Sequence, residues 1–264
     1  MPKNENTMIG WNRRQFLHHT LSGAGVAMSA SGLALALPAM LPAQTNLTPD
    51  QALDELLAGN QRFASNQLSS IEHDLTALKE HTVDKQEPFA AVLGCADSRV
   101  PVELIFDQTI GHIFVTRLAG NIVTPEVIAS LEYGVAVLGV KVILVLGHTG
   151  CGAVKAAMKA DDAPGQISVL YQHLRPAVEK SGGKIDQAIE MNAKFQAELL
   201  RTSSTVVRDA LKGGKLKVEA GVYDLATGKV TLSPGSAAKA GSSPGVRAER
   251  RDSGGRPDGK AKRA

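Results

Sequence analysis

The feature that most constrains the fold is a regular alternation of short apolar runs with longer amphipathic stretches. The short runs are typical of buried strands and cover residues 89–93, 112–116, 142–146, 216–223 and 229–232. The longer stretches repeat apolar residues at helical spacing and cover residues 48–63, 71–79, 125–138, 168–179 and 185–211. The alternation predicts an α/β fold, with a mostly parallel sheet flanked by helices on both faces and an N-terminal helical arm.

The predicted arm has a well-marked start. Thr48 is a candidate N-cap, Pro49 occupies the first helical position, and leucines recur on one face behind them. A compact α/β core offers this helix no obvious partner. We therefore expect its leucine face to pack on a second copy of the chain.

Charge is distributed unevenly along the 264 residues. The whole chain has a net charge of +3, but residues 44–232 carry 18 basic and 22 acidic side chains, a net charge of −4. The basic excess belongs to the two ends. A mildly acidic core has no electrostatic footprint for a phosphate backbone, so we expect no nucleic-acid partner.

The two ends are predicted to lie outside the folded domain, which we place at residues 44–232. Residues 1–43 contain Arg13 and Arg14, then Phe16 and Leu17, and then an uncharged stretch rich in Gly, Ala, Ser and Leu. This pattern is typical of a twin-arginine export signal, and it predicts a periplasmic or otherwise exported protein. A membrane anchor is the alternative, but the stretch is too weakly apolar to favour a stable membrane span.

The C-terminal residues 233–264 contain no Leu, Ile, Phe, Tyr or Trp, and basic residues dominate their charge. Such a segment cannot bury enough apolar surface to offset the entropy of ordering. We therefore expect a disordered basic tail.

Candidate metal ligands follow two of the predicted strands. Cys95 comes directly after the first strand, and His148 and Cys151 follow the third. Open α/β sheets bind ligands at the carboxyl ends of their strands, and two thiols with one imidazole form a set suited to zinc. Asp97 and Arg99 lie beside Cys95, and a carboxylate held by an arginine favours a catalytic site over a purely structural one.

Four motifs, in this order, resemble those of the β-class carbonic anhydrases. They are CADSRVP at 95–101, FVTRLAGN at 114–121, EYG at 132–134 and GHTGCGA at 147–153. The resemblance implies that Cys95, His148 and Cys151 bind one zinc ion per chain. It further implies that Asp97 accepts a hydrogen bond from the hydroxide bound to that zinc, and that Arg99 orients Asp97.

The resemblance also implies a substrate pocket at a dimer interface. Gln86, Phe114, Tyr133 and Gly152 stand at the matching positions, with Gln86 on one side of the interface and the two aromatic residues on the other. Members regulated by bicarbonate carry a tryptophan three residues before the first cysteine, where this chain has Val92. The family also has a closed form, in which the aspartate itself occupies the fourth position on zinc. The difference at Val92 favours the open, constitutively active form.

The implied function is the reversible hydration of carbon dioxide to bicarbonate and a proton, carried out by a homodimer or a higher multiple of dimers. Two alternatives remain open at this point. One is hydrolysis of carbon disulfide or carbonyl sulfide, which resemble carbon dioxide in shape. The other is a non-catalytic zinc-binding protein, although such a protein would not need Asp97, Arg99 and Gln86.

Overall fold

A computed structural model describes residues 45–70, 75–160 and 162–234. The predicted export signal and nearly all of the predicted tail lie outside these residues. The described elements, in chain order, are α1 (Pro49–Ala64), α2 (Leu75–Thr82), β1 (Ala90–Gly94), α3 (Val102–Ile105), β2 (Ile113–Arg117), α4 (Pro125–Ala136), β3 (Val142–His148), α5 (Gly152–Lys159), a 3₁₀ turn (Ile167–Leu170), α6 (Tyr171–Lys180), α7 (Ile185–Ser203), α8 (Thr205–Lys212), β4 (Lys217–Tyr223) and β5 (Val230–Leu232).

The strands form one five-stranded sheet in the order β2-β1-β3-β4-β5. The first four strands run parallel, and only β5 is antiparallel to its neighbour β4. Apolar clusters pack along the sheet, and the central strands β1 and β3 are buried along their whole length. The predicted mostly parallel α/β fold is confirmed. Its parallel strands bring the ends of β1 and β3 to the same edge, which positions the candidate site.

The arm helix α1 is confirmed, but the predicted packing of its leucine face is wrong. The capping box forms between Thr48 and Gln51, and Leu53 and Leu56 are 8% and 0% exposed within the single chain. Both leucines belong to the apolar cluster that contains Phe106 and the core residues of β1 and β3. Burial of each leucine stabilises the fold by about 1.5–3 kcal/mol. The leucine face therefore packs on this chain's own core and not on a second copy.

A close backbone approach at Gly59 and the hydrogen bonds of a buried asparagine fix α1 in place. A Cβ at Gly59 would lie 1.9 Å from the carbonyl oxygen of Phe106, so only glycine allows this close approach. The next residue, Asn60, is buried, and its amide donates to the carbonyls of Ile105 and Gly228 while its oxygen accepts from the N–H of Val230. Asn60 therefore ties the arm to the end of α3 and to the start of β5.

The long helix predicted over residues 185–211 is in fact two helices. The break lies at Ser204, whose extended backbone caps α8, since its hydroxyl accepts from the N–H of Val207. The same hydroxyl donates to the carboxylate of Glu132 on α4. A serine that can cap a helix and reach a neighbouring element competes with continuation of the helix, and the apolar periodicity does not reveal that competition.

No helix among the described residues is both long enough and apolar enough to cross a membrane.

Candidate metal centre

Cys95, His148 and Cys151 come together at one edge of the sheet, as the sequence predicts. Their ligand atoms all lie within 4.8 Å of one another, and the three residues are 4%, 0% and 1% exposed. Two ligand atoms in a tetrahedral zinc site, with bonds of about 2.0–2.3 Å, lie about 3.3–3.8 Å apart. The three ligand atoms are therefore close enough to hold one ion if they draw together by up to about 1 Å around it.

His148 is the last residue of β3 rather than the residue after it, and its ring is oriented by main-chain contacts. The ring Nδ1 lies 3.0 Å from the carbonyl oxygen of Thr149, which assigns the proton to that nitrogen. Thr149 is itself held by Tyr223 and Leu225 of the neighbouring chain segment, through its N–H and its hydroxyl respectively. The other nitrogen, Nε2, is buried without a hydrogen-bond partner, which is what a metal-ligating imidazole requires.

The two thiols differ in their readiness to lose a proton. A hydrogen bond from Cys151 and another from the N–H of Gly120 lower the pKa of Cys95 to about 4, against the opposing effect of burial. The resulting thiolate, together with burial, raises the pKa of Cys151. A divalent cation would replace the proton that the two sulfurs share, because a coordinating thiol is deprotonated by the metal.

Gly120 supports the Cys95 sulfur, a role that the sequence does not predict. Its N–H lies 3.3 Å from the Cys95 sulfur, and its carbonyl accepts from the amide of Asn192 on α7. The backbone angle φ is +77°, and a Cβ would lie 3.1 Å from Leu174 and 3.3 Å from Ala153. Only glycine suits this position. The run Gly120-Asn121 was a signal for a left-handed turn, but nothing in the sequence shows which sulfur the turn faces.

Arg99 holds the Asp97 carboxylate beside the three candidate ligands. Its Oδ1 accepts from the main-chain N–H and the Nε of Arg99, at 3.0 and 2.9 Å, and its Oδ2 accepts from Nη2 at 2.8 Å. The same Oδ2 lies 3.8 Å from Nε2 of His148. The Arg99 hydrogen bonds hold the pKa of Asp97 well below its usual range. The carboxylate is therefore ionised and can only accept hydrogen bonds at the edge of the cluster.

The predicted pocket residues are not gathered around this cluster within one chain. Gln86 is exposed and precedes β1, whereas Cys95 follows it, so the five strand residues alone separate the two by about 16 Å. Phe114 pairs in register with Ala91 and contacts the half-exposed Tyr133, with ring centroids 6.2 Å apart. Gly152 is adjacent to the cluster and exposed, as the first residue of α5.

The donor set fits zinc in particular. Thiolates and imidazole are ligands that zinc prefers, and three protein ligands leave the fourth tetrahedral position available, as in catalytic zinc sites. Among the described residues this is the only group of three or more His, Cys, Asp or Glu side chains close enough to hold an ion. Zinc is the cofactor of this site.

Comparisons with known proteins agree with the geometry. The sequence model of the carbonic anhydrase family matches residues 90–230. Carbonic anhydrase 2 of Mycobacterium tuberculosis is 33% identical over 199 residues, which cover 71% of this chain and 94% of the relative.

Solved β-carbonic anhydrase structures have the same fold. The enzyme of Coccomyxa is 29% identical with a TM-score of 0.54, and the match covers 68% of this chain and 85% of that one. A tetrameric enzyme of Sordaria macrospora is 24% identical with a TM-score of 0.55, and the match covers 68% and 95%. The chain therefore belongs to the β-class carbonic anhydrases, zinc-dependent lyases that reversibly hydrate carbon dioxide to bicarbonate and a proton.

Proposed function

We propose that this chain hydrates carbon dioxide with Asp97 and Arg99 as its working pair, beside a zinc ion held by Cys95, His148 and Cys151. The observation that carries this assignment is the position of Asp97 Oδ2, 3.8 Å from the unpartnered Nε2 of His148. The carboxylate thus borders the space that the three ligands share. Arg99 donates a hydrogen bond to each of the two carboxylate oxygens.

The chain's own residues orient the reacting water and keep a base in place. Bound zinc supplies the Lewis acidity that lowers the pKa of water, so that hydroxide is available near neutral pH. The ionised Oδ2 of Asp97 accepts a hydrogen bond from the reacting O–H and so directs an oxygen lone pair away from itself, towards the substrate. Arg99 keeps that carboxylate from rotating into the metal position, which supports the open form.

The ligand assignment is tested by metal content. Cys151→Ser replaces a soft thiolate with a hard hydroxyl and should remove most of the zinc from purified protein. The matched control is Ser168→Ala in the 3₁₀ turn, which should keep about one zinc per chain. Unchanged zinc content in Cys151→Ser would contradict the assignment.

We further propose that the active unit is a dimer in which Gln86 serves the partner's site. Gln86 precedes β1 and Cys95 follows it, and the strand spans about 16 Å, so we infer that Gln86 does not serve the cluster of its own chain. A second copy of the chain could supply Gln86 to the cluster. The second copy could also place an apolar surface beside Phe114 and the half-exposed Tyr133. The tetrameric relative with the same fold is consistent with assembly from such dimers.

Subunit complementation tests the shared pocket. Gln86→Ala and Asp97→Asn homodimers should each be nearly inactive. A mixed dimer, isolated with two different affinity tags, should regain one intact site and up to half of the native rate, because its intact Gln86 and intact Asp97 come from different chains. A mixed dimer as inactive as its parents would show that Gln86 acts within its own chain.

We also propose export by the twin-arginine route, on the strength of Arg13, Arg14, Phe16 and Leu17. Replacing both arginines with lysine keeps the charge but removes the guanidinium pair that the receptor reads. The precursor should then accumulate in the cytoplasm, whereas Lys3→Arg, a control outside the motif, should not change export. Unchanged periplasmic yield of the double variant would contradict this proposal.

A further inference from the structure

Arg117 makes a two-pronged contact with the loop that connects Cys95 to Asp97. Its Nε donates to the carbonyl oxygen of Cys95 at 2.8 Å, and its Nη2 donates to the carbonyl oxygen of Asp97 at 2.5 Å. Both acceptors are main-chain carbonyls, and they lie on either side of Ala96. One guanidinium therefore binds the main chain both at the metal ligand Cys95 and at Asp97, which carries the nearby carboxylate.

The sheet determines where this guanidinium lies. Arg117 is the last residue of β2 and pairs in register with Gly94, the last residue of β1. The next N–H, that of Leu118, donates to the carbonyl of Gly94 and continues the pairing past the strand ends. The base of the Arg117 side chain is thus fixed to the sheet directly beside the start of the loop. A planar fork of donors can then hold both carbonyls at a set spacing, which a single ammonium group cannot match.

Arg99 and Arg117 constrain different things. Arg99 lies two residues after Asp97, so its hydrogen bonds fix the carboxylate relative to its own loop. They do not fix the loop relative to the sheet. The sheet determines the positions of Cys95, which follows β1, and His148, which ends β3. Arg117 supplies that second constraint, because it joins the loop to β2.

We propose that Arg117 is a positioning residue that holds Cys95 and Asp97 in one rigid frame, and that it acts on carbon dioxide hydration through Asp97. The inference rests on the role proposed above for Asp97. Arg117 itself borders the loop's main chain and does not touch the reacting atoms. Its loss should therefore spare the three ligands and misplace the carboxylate.

The first experiment removes the fork. Arg117→Met in the zinc-loaded protein should lower kcat by about ten- to a hundredfold, the usual cost of losing an outer partner of a metal site, with about one zinc per chain retained. Arg208→Met is the matched control, since Arg208 also donates to a main-chain carbonyl, that of Thr202, but on the exposed surface of α8. It should keep the native rate.

Amide hydrogen exchange gives a readout that does not depend on activity. The N–H of Arg99 donates to the Asp97 carboxylate, and the N–H of Val100 donates to the Asp97 carbonyl. Both amides should exchange faster in Arg117→Met than in the native protein. Arg117→Lys keeps the charge but not the planar fork, and it should give intermediate exchange and an intermediate rate. If the methionine variant does not fold, the lysine variant carries the test.

A double-mutant cycle with Asp97→Asn separates this inference from the function on which it rests. If Arg117 acts through Asp97, adding Arg117→Met to Asp97→Asn should lower the rate by less than about threefold further. Full multiplication of the two losses, or native rate and exchange in Arg117→Met and Arg117→Lys, would overturn the role of Arg117. A native rate in Asp97→Asn alone would instead overturn the role of Asp97, and with it the route proposed here.

Discussion

Asp97 with Arg99 and Asp107 with Arg62 are the same chemical pair in two different settings. The Asp107 side chain is fully buried, and it accepts from Arg62 Nε, from the main-chain N–H groups of Ser69 and Ser70, and from the Ser69 hydroxyl. Asp97 is partly exposed and is held by Arg99 alone, with one oxygen facing His148. In the first pair the carboxylate is saturated with donors, whereas in the second it retains accepting capacity.

Sequence distance accounts for the difference in role. Arg62 lies on α1, 45 residues before Asp107, so their contact joins the arm to the core. Arg99 is two residues from Asp97, so that contact joins no distant elements and only sets the direction of one side chain. A saturated long-range pair is suited to stability, and an unsaturated local pair is suited to chemistry.

The largest expected effect is the loss of activity in Asp97→Asn. The amide keeps the shape of the side chain, but it is neutral and a weaker acceptor, so the carbon dioxide hydration rate should fall by about 10²- to 10⁴-fold. Zinc content should stay near one per chain. Stopped-flow hydration with metal analysis checks this, and a near-native rate at neutral pH would remove the distinction between the two pairs.

The counterpart change, Asp107→Asn, should cost stability instead. Breaking a buried ion pair costs about 3–5 kcal/mol, and because Arg62 is about a third exposed we expect about 2–3 kcal/mol here. For a domain of this size, such a loss lowers Tm by about 5–10 °C. The rate per folded molecule at low temperature should stay within about twofold of native. A stable but inactive Asp107→Asn variant would contradict the comparison.

The sequence predicts local features of this molecule well and long-range polar contacts poorly. The strand–helix alternation, the cap at Thr48 and the ligands Cys95, His148 and Cys151 all depend on patterns within a few residues. The donors to Asp107 come from residues that are 37 to 45 positions away, and no spacing rule connects them. The packing of α1 was missed for the same reason, because its partners lie on distant strands.

The candidate site shows the same division. Asp97 and Arg99 could be paired from the sequence because they are two residues apart. The contact of Arg117 with the Asp97 carbonyl depends on the register of β1 with β2, which the sequence does not specify. The short helix α3 was not predicted, since four residues give too little periodicity to detect.

A smaller effect is expected when the arginines are replaced by lysine. Arg99→Lys keeps the charge but loses the bidentate contact with Asp97, and should lower the hydration rate by about tenfold with little change in Tm. Arg62→Lys should lower the unfolding free energy by about 1 kcal/mol with little change in rate, since Ser69 and Ser70 still donate to Asp107. Hydration assays and thermal unfolding of both variants check the pattern. If both changes acted only on Tm, the two pairs would have the same role.

The smallest expected effect is on the acid dependence of stability. Burial opposes the charged form of Asp107, but hydrogen bonds from Arg62, Ser70 and Ser69 outweigh it and lower the pKa of the carboxyl. A carboxyl whose pKa is lower in the folded state stabilises the fold fully above its unfolded pKa of about 3.9, and the contribution is lost as the pH falls further. Urea unfolding at pH 7, 5, 4 and 3 should therefore show native stability falling most steeply below about pH 4, and the gap between native protein and Asp107→Asn narrowing there. Zinc release in acid affects both proteins, so the narrowing gap isolates Asp107. A gap that stayed constant down to pH 3 would mean that Asp107 is not held ionised by the contacts that tie α1 to the core.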